Sequence, residues 1–368
     1  MAVSDLADYP WDAVAPYART AQAHPDGIVD LSIGSPVYPT PDVVAGALRA
    51  ATDAHAYPQT VGTPALREAV VAWYARRRGV PGLSVDQVLP TVGSKELVAL
   101  LPLLLGLGAG DVVVHPRAAY PTYEVGARLV GATPLPGDDP ADWPAGTSLV
   151  WLNSPGNPDG RVLGVADLRA AVRRARELGA VLASDECYAE LGWDGEWART
   201  PVPSILDPRV TDGDATGILS VYSLSKQSNL AGYRAAFVAG DPALVGELVA
   251  VRKQAGMMLP GPLQAAMTAA LRDDEAPAAQ REIYRARRAV LEPALRSAGG
   301  EIHASQAGLY LWTTFGEDAM TSVERLADLG VLVAPGMFYG VGGGEFVRVA
   351  LTATDERIAA AARRLERL

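Results

Sequence analysis

The stretch ADLRAAVRRARELGAVLASDECY at residues 166–188 carries the signal that decides the fold. Its first part places apolar residues at helical spacing on one face, namely Leu168, Ala171, Val172, Ala175 and Leu178. The short apolar run Ala180–Ala183 follows and predicts a strand that is buried on both faces. The polar residues 184–188 come directly after this run. A helix followed by a buried strand that ends in polar residues is typical of an α/β protein.

The same alternation recurs along the chain. Short apolar runs predict further strands at Val29–Ile33, Asp111–His115, Leu149–Leu152, Ile218–Tyr222 and Ala235–Ala239. Segments with helical spacing lie between most of them, as at Ser94–Leu107 and Pro121–Val130. Apolar strands that alternate with helices predict a largely parallel sheet with helices on both faces.

The pattern divides the chain into three parts. Residues 40–270 carry the alternating pattern and predict a large domain. Beyond Pro260–Pro262 long helices dominate, with short predicted strands at Leu309–Thr313, Val331–Val333 and Phe346–Leu351. This change predicts a smaller α+β domain at residues 271–368. Residues 1–39 carry little pattern, and we expect them to pack against the smaller domain.

Composition excludes several classes of protein. The 368 residues include 32 Lys+Arg and 42 Asp+Glu, and the net charge of −10 argues against a nucleic-acid-binding protein, which needs a basic face. The one cysteine, Cys187, and the four scattered histidines predict neither a disulfide nor a metal site. No apolar run approaches the ~20 residues of a membrane span. The N-terminus has no secretory signal, so we expect a cytoplasmic location without membrane partners.

Lysine is scarce in this chain. It occurs at Lys95, Lys226 and Lys253, so 29 of the 32 basic residues are arginine. A lysine amine can lose its proton and attack a carbonyl group, whereas a guanidinium stays charged. Each lysine taken alone could be there by chance, but together they are candidates for positions where arginine cannot serve.

Polar side chains follow three of the predicted strands. Ligands in open α/β sheets bind at the carboxyl ends of strands, so the residues there are site candidates. These candidates are Asn153 and Asn157 after one strand, Asp185 and Tyr188 after the second, and Ser223, Ser225 and Lys226 after the third. Any one of them could be an ordinary loop residue, and Asp185 could be a helix cap. Their joint placement predicts a site.

The stretch TVGSK at 91–95 begins an apolar helix. Free backbone N–H groups and the helix dipole favour an anion such as phosphate at this point. A serine cap beside a solvated lysine is the other interpretation.

The motifs taken in chain order resemble the fold-type I pyridoxal-phosphate aminotransferases of class I/II. They are IGSP (33–36), Tyr57, TVGSK, YPTY (120–123), NSPGNPDG (153–160), DECY (185–188), SLSK (223–226), Arg234 and FVRVALT (346–352). The resemblance covers essentially the whole chain. The segments VGSKELVALLP (92–102), AGLYLW (307–312) and VRVALTATDER (347–357) are similar to the succinyldiaminopimelate aminotransferases of actinobacteria.

This resemblance implies a large domain with a mostly parallel seven-stranded sheet, a smaller α+β domain, and pyridoxal 5'-phosphate as cofactor. Lys226 would bond to the cofactor aldehyde and later move a proton on the substrate, which requires an uncharged amine. Asp185 would face the pyridine nitrogen and keep it protonated, so that the ring accepts electrons. Asn157 and Tyr188 would hydrogen-bond the phenolic oxygen of the ring.

The resemblance also implies a phosphate site and a ring contact. Ser94, Lys95, Ser223 and Arg234 would hold the phosphate, with Ser225 as a further member. Gly93 would allow a close approach, and Tyr120 would stack on the ring. Tyr57 would reach the phosphate of the neighbouring subunit in a homodimer. Met257 and Met258 stand where relatives often carry a hydroxyl near that interface, so no role is carried over to them.

The implied substrates are an amino acid and an oxo acid. Arg348 would bind the α-carboxylate through two parallel hydrogen bonds, together with Asn157, and Gly34 would let the N-terminal segment approach the substrate. Further carboxylates need cations, for which the candidates are Lys95, Arg117 and Arg252. Lys95 departs from the family pattern, where uncharged residues are common.

The expected reaction transfers the amino group of glutamate to N-succinyl-2-amino-6-oxopimelate, a step in lysine and cell-wall synthesis. One alternative keeps the fold but makes the enzyme an aromatic, kynurenine or aspartate aminotransferase. Another keeps the cofactor for a C–S lyase or decarboxylase. A transcriptional regulator with a cofactor-binding domain is a third alternative, against which the acidic charge and the fewer than 35 residues before IGSP argue.

Overall fold

The computed structural model describes residues 10–368, and the expectations about the first nine residues lie outside this range. The helices are α1 (Ala15–Gln22), α2 (Asp42–Ala50), α3 (Pro64–Arg77), α4 (Ser94–Leu104), α5 (Thr122–Leu129), α6 (Val165–Leu178), α7 (Pro208–Thr211), α8 (Pro242–Gln254), α9 (Gly261–Arg272), α10 (Glu275–Ser297), α11 (Ala319–Asp328) and α12 (Asp355–Leu365). The strands are β1 (Val29–Asp30), β2 (Val88–Val92), β3 (Val112–His115), β4 (Thr133–Pro136), β5 (Thr147–Asn153), β6 (Val181–Asp185), β7 (Ile218–Ser223), β8 (Ala235–Gly240), β9 (Glu301–His303), β10 (Tyr310–Thr314), β11 (Val331–Leu332), β12 (Ala334–Pro335) and β13 (Phe346–Ala350).

A seven-stranded sheet with strand order β2-β8-β7-β6-β5-β3-β4 forms the larger part of the molecule. Only β8 runs antiparallel to its neighbours β2 and β7, and every other pair is parallel. Alternate residues of β7 enter two different apolar clusters, with Tyr222 in one and Leu219 and Val221 in the other. The sheet is therefore covered on both faces, which confirms the prediction of a mostly parallel α/β sheet.

Within the large sheet the sequence patterns miss the two edge strands, β2 and β4, and in the second region they miss the short strands β9 and β12. Pro90 lies in the middle of β2, and β4 contains Pro134 and ends at Pro136. Proline has no N–H to donate, so within sheets it is found at edges. The N–H group of Thr133, the first residue of β4, donates to the Asp111 carbonyl oxygen, and the N–H group of Gly137, just after β4, donates to the His115 carbonyl oxygen. Because backbone bonding alternates along a strand, positions 134 and 136 face away from the sheet.

The strands β5 and β6 end at the same level, and β7 continues for two more residues. Asn153 lies opposite Asp185 in the register of β5 and β6, and Asp185 lies opposite Val221 of β7. The strand predicted to end at Ala183 thus continues through Ser184 to Asp185, because both residues pair with strands on each side. At this edge Asn153 and Asp185 lie side by side, and Ser223 lies two residues beyond the partner of Asp185.

A second region contains the four-stranded antiparallel sheet β12-β13-β10-β9 and the helices α10, α11 and α12. The N-terminal segment joins this region, because β1 pairs in parallel with β11. Ala21 of α1 is buried with Ala327 of α11. These contacts describe a smaller α+β unit beside the large sheet. The limits at residues 39/40 and 270/271 stay a prediction.

The most apolar run of the sequence forms α4, in which Leu97, Val98 and Leu101 are buried. The helix ends at Leu104, three residues before the predicted end. Among residues 10–368 no helix has both the length and the hydropathy to cross a membrane. The same part of the chain contains no group of three or more His, Cys, Asp or Glu side chains that could hold a metal ion.

Candidate active site

A cavity of about 610 Å³ opens between the carboxyl edge of the seven-stranded sheet and the second region. Most of the predicted site residues line it, namely Gly34, Ser94, Lys95, Tyr120, Asn157, Asp185, Tyr188, Ser223, Ser225, Lys226, Arg234 and Arg348. Residues that the motifs did not single out for the site also line it, among them Trp11, Cys187, Tyr310, Phe338 and Tyr339. Gly93 and Tyr57 are not part of the lining.

Lys226 follows β7 by three residues and is half-buried. Its amine Nζ donates a hydrogen bond to the carbonyl oxygen of Gly34. The amine is therefore held at the point where the N-terminal segment meets the edge of the large sheet. A primary amine in this position faces the cavity and can attack a carbonyl carbon bound there.

Asp185, the last residue of β6, is buried at the floor of the cavity. The Tyr123 hydroxyl donates to its Oδ2 at 3.0 Å, and the Cys187 N–H donates to its Oδ1 at 3.1 Å. Burial raises the pKa of the Asp185 carboxyl, and these hydrogen bonds oppose the shift. The carboxylate thus caps the following turn and also presents an acidic group to the cavity.

Arg348 on β13 is buried, with 4% of its surface exposed. Its guanidinium donates from Nη1 to Asn157 Oδ1 at 3.0 Å and from Nη2 to the Ser32 carbonyl at 2.8 Å. Both acceptors are neutral, and its Nε has no hydrogen-bond partner among the described residues. A buried cation without a carboxylate partner is suited to binding an anion that enters the cavity.

Two tyrosine hydroxyls meet beside this arginine. The Tyr188 and Tyr310 hydroxyl oxygens lie 3.2 Å apart, and both side chains are buried. Burial raises the pKa of Tyr188 well above its ordinary value. Burial also opposes ionisation of Tyr310, but the charges of Arg348 and Lys226 and the hydrogen bond with Tyr188 together lower the Tyr310 pKa. A Cβ at Gly34 would overlap the Tyr310 hydroxyl, so this position requires glycine.

Hydroxyls and cations gather at the other end of the cavity. Ser94 begins α4, and the Ser223 hydroxyl donates to Ser225 Oγ at 2.8 Å. Arg234 is positioned by a bond from its Nη1 to the Ala231 carbonyl at 2.8 Å. Gly93 has φ +80°, and a side chain there would overlap the Arg234 guanidinium. Glycine is therefore needed at the start of α4 on both grounds.

Lys95 and Tyr120 form one side of the cavity. The Lys95 amine lies 5.8 Å from the centre of the Tyr120 ring, and the lysine side chain is exposed. Burial raises the pKa of the Tyr120 hydroxyl to about 12, so the phenol stays protonated near neutral pH. Lys95 lines the cavity, so its amine is within reach of a group bound there.

Two other candidate cations are not at the cavity. Arg252 is completely buried and forms an ion pair with Glu96 at 3.1 Å. Burial raises the pKa of the Glu96 carboxyl, and Arg252 opposes this shift. Arg117 is exposed and does not line the cavity either. Of the three cations proposed for further substrate carboxylates, only Lys95 is in place.

Tyr57 is 95% exposed in the single chain and lies outside the cavity. Its expected contact is with a neighbouring subunit, so the single chain leaves that expectation a prediction. Met257 and Met258 are half-buried and do not line the cavity.

The two ends of the cavity fit a particular kind of molecule. The hydroxyls, cations and helix N-terminus beside Gly93 suit a dianionic phosphate. The buried carboxylate of Asp185 suits a protonated ring nitrogen, because an opposite charge offsets the cost of its burial. The Lys226 amine lies on the same cavity and suits an aldehyde. These residues fit pyridoxal 5'-phosphate.

Comparisons with known proteins agree with this geometry. Residues 26–365 match the model of the family described as aminotransferase class I and II. The 4-dedimethylamino-4-oxo-anhydrotetracycline transaminase OxyQ of Streptomyces rimosus is 56% identical over 362 residues, which cover 98% of this chain and 99% of OxyQ. A Mycobacterium tuberculosis protein named "Probable aminotransferase Rv1178" is 57% identical over 363 residues, which cover 98% of this chain and 86% of that protein.

A solved structure from Thermus thermophilus, described as "probable N-succinyldiaminopimelate aminotransferase", superposes with a TM-score of 0.86 at 29% identity. The match covers 98% of this chain and 100% of that one. The similarity to OxyQ is much higher than to this succinyldiaminopimelate enzyme, so a special closeness to the latter group is not shown. The chain belongs to the class I and II aminotransferases, which are pyridoxal-phosphate enzymes of fold type I.

Proposed function

We propose that this aminotransferase moves the amino group of glutamate to N-succinyl-2-amino-6-oxopimelate. The observation that supports this proposal is that Lys95, whose amine lies over the Tyr120 ring, lines the cavity. The other cations that line it within the described chain are Lys226, Arg234 and Arg348, and each has another proposed partner. Both substrates carry a carboxylate beyond the α-carboxylate, and Lys95 would bind it.

The residues at the cavity ends would hold the cofactor. Ser94, Ser223, Ser225 and Arg234 would bind the phosphate, and Asp185 would face the ring nitrogen. Asn157 and Tyr188 would hydrogen-bond the ring oxygen. Pyridoxal phosphate, when bound, supplies the aldehyde that carries the amino group between the two substrates and the ring that accepts electrons.

Arg348 and Lys226 would act on the substrate. The Arg348 guanidinium would donate to both oxygens of the α-carboxylate and so fix the α-carbon above the floor of the cavity. The Lys226 Nζ, once free of the cofactor, would accept the proton from that carbon and return it at the next step. The Gly34 carbonyl, which accepts from this amine, would hold it within the cavity.

A second candidate acceptor is an oxo acid with an aromatic ring. Trp11 and Phe338 both line the cavity, and their rings meet edge to face with centres 5.5 Å apart. An apolar wall of this kind favours a ring over a charged arm. OxyQ, a transaminase named for an anhydrotetracycline compound, is similar to this chain along its whole length.

Half-reaction rates of the amino form of the enzyme test the assignment. The acceptors are the succinylated oxo acid, 2-oxoglutarate, phenylpyruvate and oxaloacetate. We expect the succinylated acceptor to have the highest kcat/KM. Phenylpyruvate reacting as fast would contradict the proposal and favour the aromatic alternative. Release of pyruvate and ammonia from cystathionine without an acceptor would instead favour a C–S lyase.

Lys95→Met sharpens the test, with Lys253→Met as the matched control because Lys253 is exposed and outside the cavity. Loss of one charged hydrogen bond should lower kcat/KM for the succinylated acceptor about tenfold and leave phenylpyruvate unchanged. A loss of cofactor affinity in Lys95→Met would place Lys95 at the phosphate instead. The control should behave as the unmodified enzyme with every acceptor.

We also propose a homodimer in which Tyr57 reaches the cofactor phosphate of the neighbouring subunit. Its 95% exposure supports this, because the side chain is accessible to a neighbouring subunit. Light scattering should give twice the chain mass. Tyr57→Phe should weaken cofactor retention without changing that mass.

A further inference from the structure

Tyr310 is the first residue of β10, and no motif assigned it a role. Its side chain is buried, lines the cavity and lies between Arg348 and Tyr188. The sheet register explains this position. Tyr310 is opposite Ala350, and Trp312 is opposite Arg348, so Tyr310 and Arg348 are diagonal neighbours on one face of the antiparallel pair.

The ring of Tyr310 contacts the guanidinium of Arg348. The Arg348 Cζ lies 3.8 Å from the Tyr310 ring centre, and the Tyr339 ring centre lies 4.6 Å from the same atom. A buried cation over an aromatic face gains electrostatic attraction that it cannot obtain from water at that site. The contact therefore stabilises the charge of Arg348 and fixes the plane of its donors without using them.

The hydroxyl of Tyr310 faces different partners. It lies 3.2 Å from the Tyr188 hydroxyl and directly against Gly34. The Gly34 carbonyl in turn accepts from the Lys226 amine. One end of the side chain therefore contacts the arginine, and the other end contacts the groups around the lysine.

The contact between the two hydroxyls has no fixed donor in the single chain, because either oxygen can donate to the other. Tyr188 has one proton, and its proposed role uses that proton for the oxygen of the cofactor ring. With the cofactor bound, Tyr310 must then be the donor in this contact and the Tyr188 oxygen the acceptor.

We propose that Tyr310 is a positioning residue that orients Arg348 with its ring and Tyr188 with its hydroxyl. A single side chain then sets both the donors for the substrate carboxylate and the donor for the oxygen of the cofactor ring. This inference rests on the proposed roles of Arg348 and Tyr188, and it adds a residue to that function.

Tyr310→Phe tests the hydroxyl alone, because the ring remains under Arg348. The measurement is a pH titration of the visible absorption of the holoenzyme. Without the hydrogen bond from Tyr310, the Tyr188 hydroxyl donates more weakly to the ring oxygen. The pH at the midpoint of the absorption change should therefore rise by about half to one unit. The matched control is Tyr284→Phe, a buried tyrosine outside the cavity. An unchanged midpoint, or an equal change in the control, would overturn the inference.

Tyr310→Met tests the ring, with the dissociation constant of 2-methylglutamate as the readout. This amino acid has an α-carboxylate but no α-proton, so it binds without turnover. We expect about tenfold weaker binding in Tyr310→Met and less than about twofold in Tyr310→Phe. Equal affinities in the two variants would contradict the role of the ring. If the methionine variant does not fold by its melting curve, Tyr310→Leu replaces it.

Arg348→Ala distinguishes a failure of the role proposed for Arg348 from a failure of the role proposed for Tyr310. If this variant binds 2-methylglutamate as tightly as the unmodified enzyme, the proposed role of Arg348 fails. If Arg348→Ala loses binding but both Tyr310 variants match the unmodified enzyme, the function stands and the role of Tyr310 fails.

Discussion

The cavity wall on the seven-stranded sheet is assembled from short runs of neighbouring residues, whereas the opposite wall is assembled from residues far apart in the chain. On the first wall Asp185 and Tyr188 lie at and just after the end of β6, and Ser223, Ser225 and Lys226 lie at and just after the end of β7. On the second wall Trp11, Gly34, Tyr310, Phe338 and Arg348 come from five separate segments. The first wall has the groups that suit a cofactor, and the second has those that suit a substrate. Changes on the two walls should therefore separate into effects on the cofactor and effects on the substrate.

The largest expected effect is on the sheet wall. Lys226→Ala removes the amine that would bond to the cofactor and move the α-proton, so turnover should fall by about 10⁴-fold or more. The visible absorption of the lysine-bound cofactor should disappear as well. Steady-state assays and absorption spectra check this. Retained activity would eliminate Lys226 as the catalytic group.

The next largest effect is on the opposite wall. Arg348→Ala removes two charged donors from a buried site, so KM for glutamate should rise about 100-fold. Cofactor affinity should change much less, because the phosphate groups lie at the other end of the cavity. Titration with pyridoxal phosphate and initial rates measure the two effects. An equal loss of cofactor affinity and glutamate binding would mean that the arginine supports the fold. It would also mean that the two walls do not bind cofactor and substrate separately.

A smaller effect is expected where the walls meet. Gly34→Ala places a methyl group on the Tyr310 hydroxyl, and the resulting displacement should lower kcat/KM about tenfold. Tyr310→Phe in the same chain removes the overlapping oxygen and should restore part of the loss. Kinetics of the single and double variants check this, with Gly46→Ala as a control because nothing lies near its added carbon. Additive losses would show that the two residues act independently.

The smallest effect concerns stability. Burial raises the pKa of Asp185, so the folded cofactor-free protein binds a proton more tightly there than the unfolded chain does. Its stability should fall as the pH rises from the ordinary pKa through the raised one. Asp185→Asn does not titrate, so its Tm should exceed that of the unmodified protein by about 2 °C at pH 7 and match it at acidic pH. Melting curves across that pH range check this, and a lower Tm for Asp185→Asn at pH 7 would contradict it.

The sheet wall could be predicted from sequence because its residues are adjacent to strong local patterns. The buried strands define their own carboxyl ends, and the scarcity of lysine marks Lys226. Arg348 could be identified through the family motif. Tyr310 could not, since AGLYLW has the pattern of a core strand and its role depends on the pairing of β10 with β13.

Local sequence patterns also could not predict which charged residues pair with each other or which strands lie at the sheet edges. In the sequence Arg252 and Lys95 were equivalent candidates for binding a further substrate carboxylate. Only the packing of α8 on α4 shows that Arg252 forms an ion pair with Glu96. The strands β2 and β4 were missed because proline normally argues against a strand. Their positions at the two edges remove that conflict, but the strand order is a property of the whole sheet.

The prolines of β2 and β4 have a consequence for the behaviour of the protein at high concentration. An unpaired strand edge is a template on which a strand of another molecule can add, and long flat edges promote aggregation for this reason. At positions 134 and 136 the outer edge has no N–H groups to offer, and Pro90 interrupts the other edge. These prolines remove backbone donors from both edge strands and so disfavour the addition of a further strand to the large sheet.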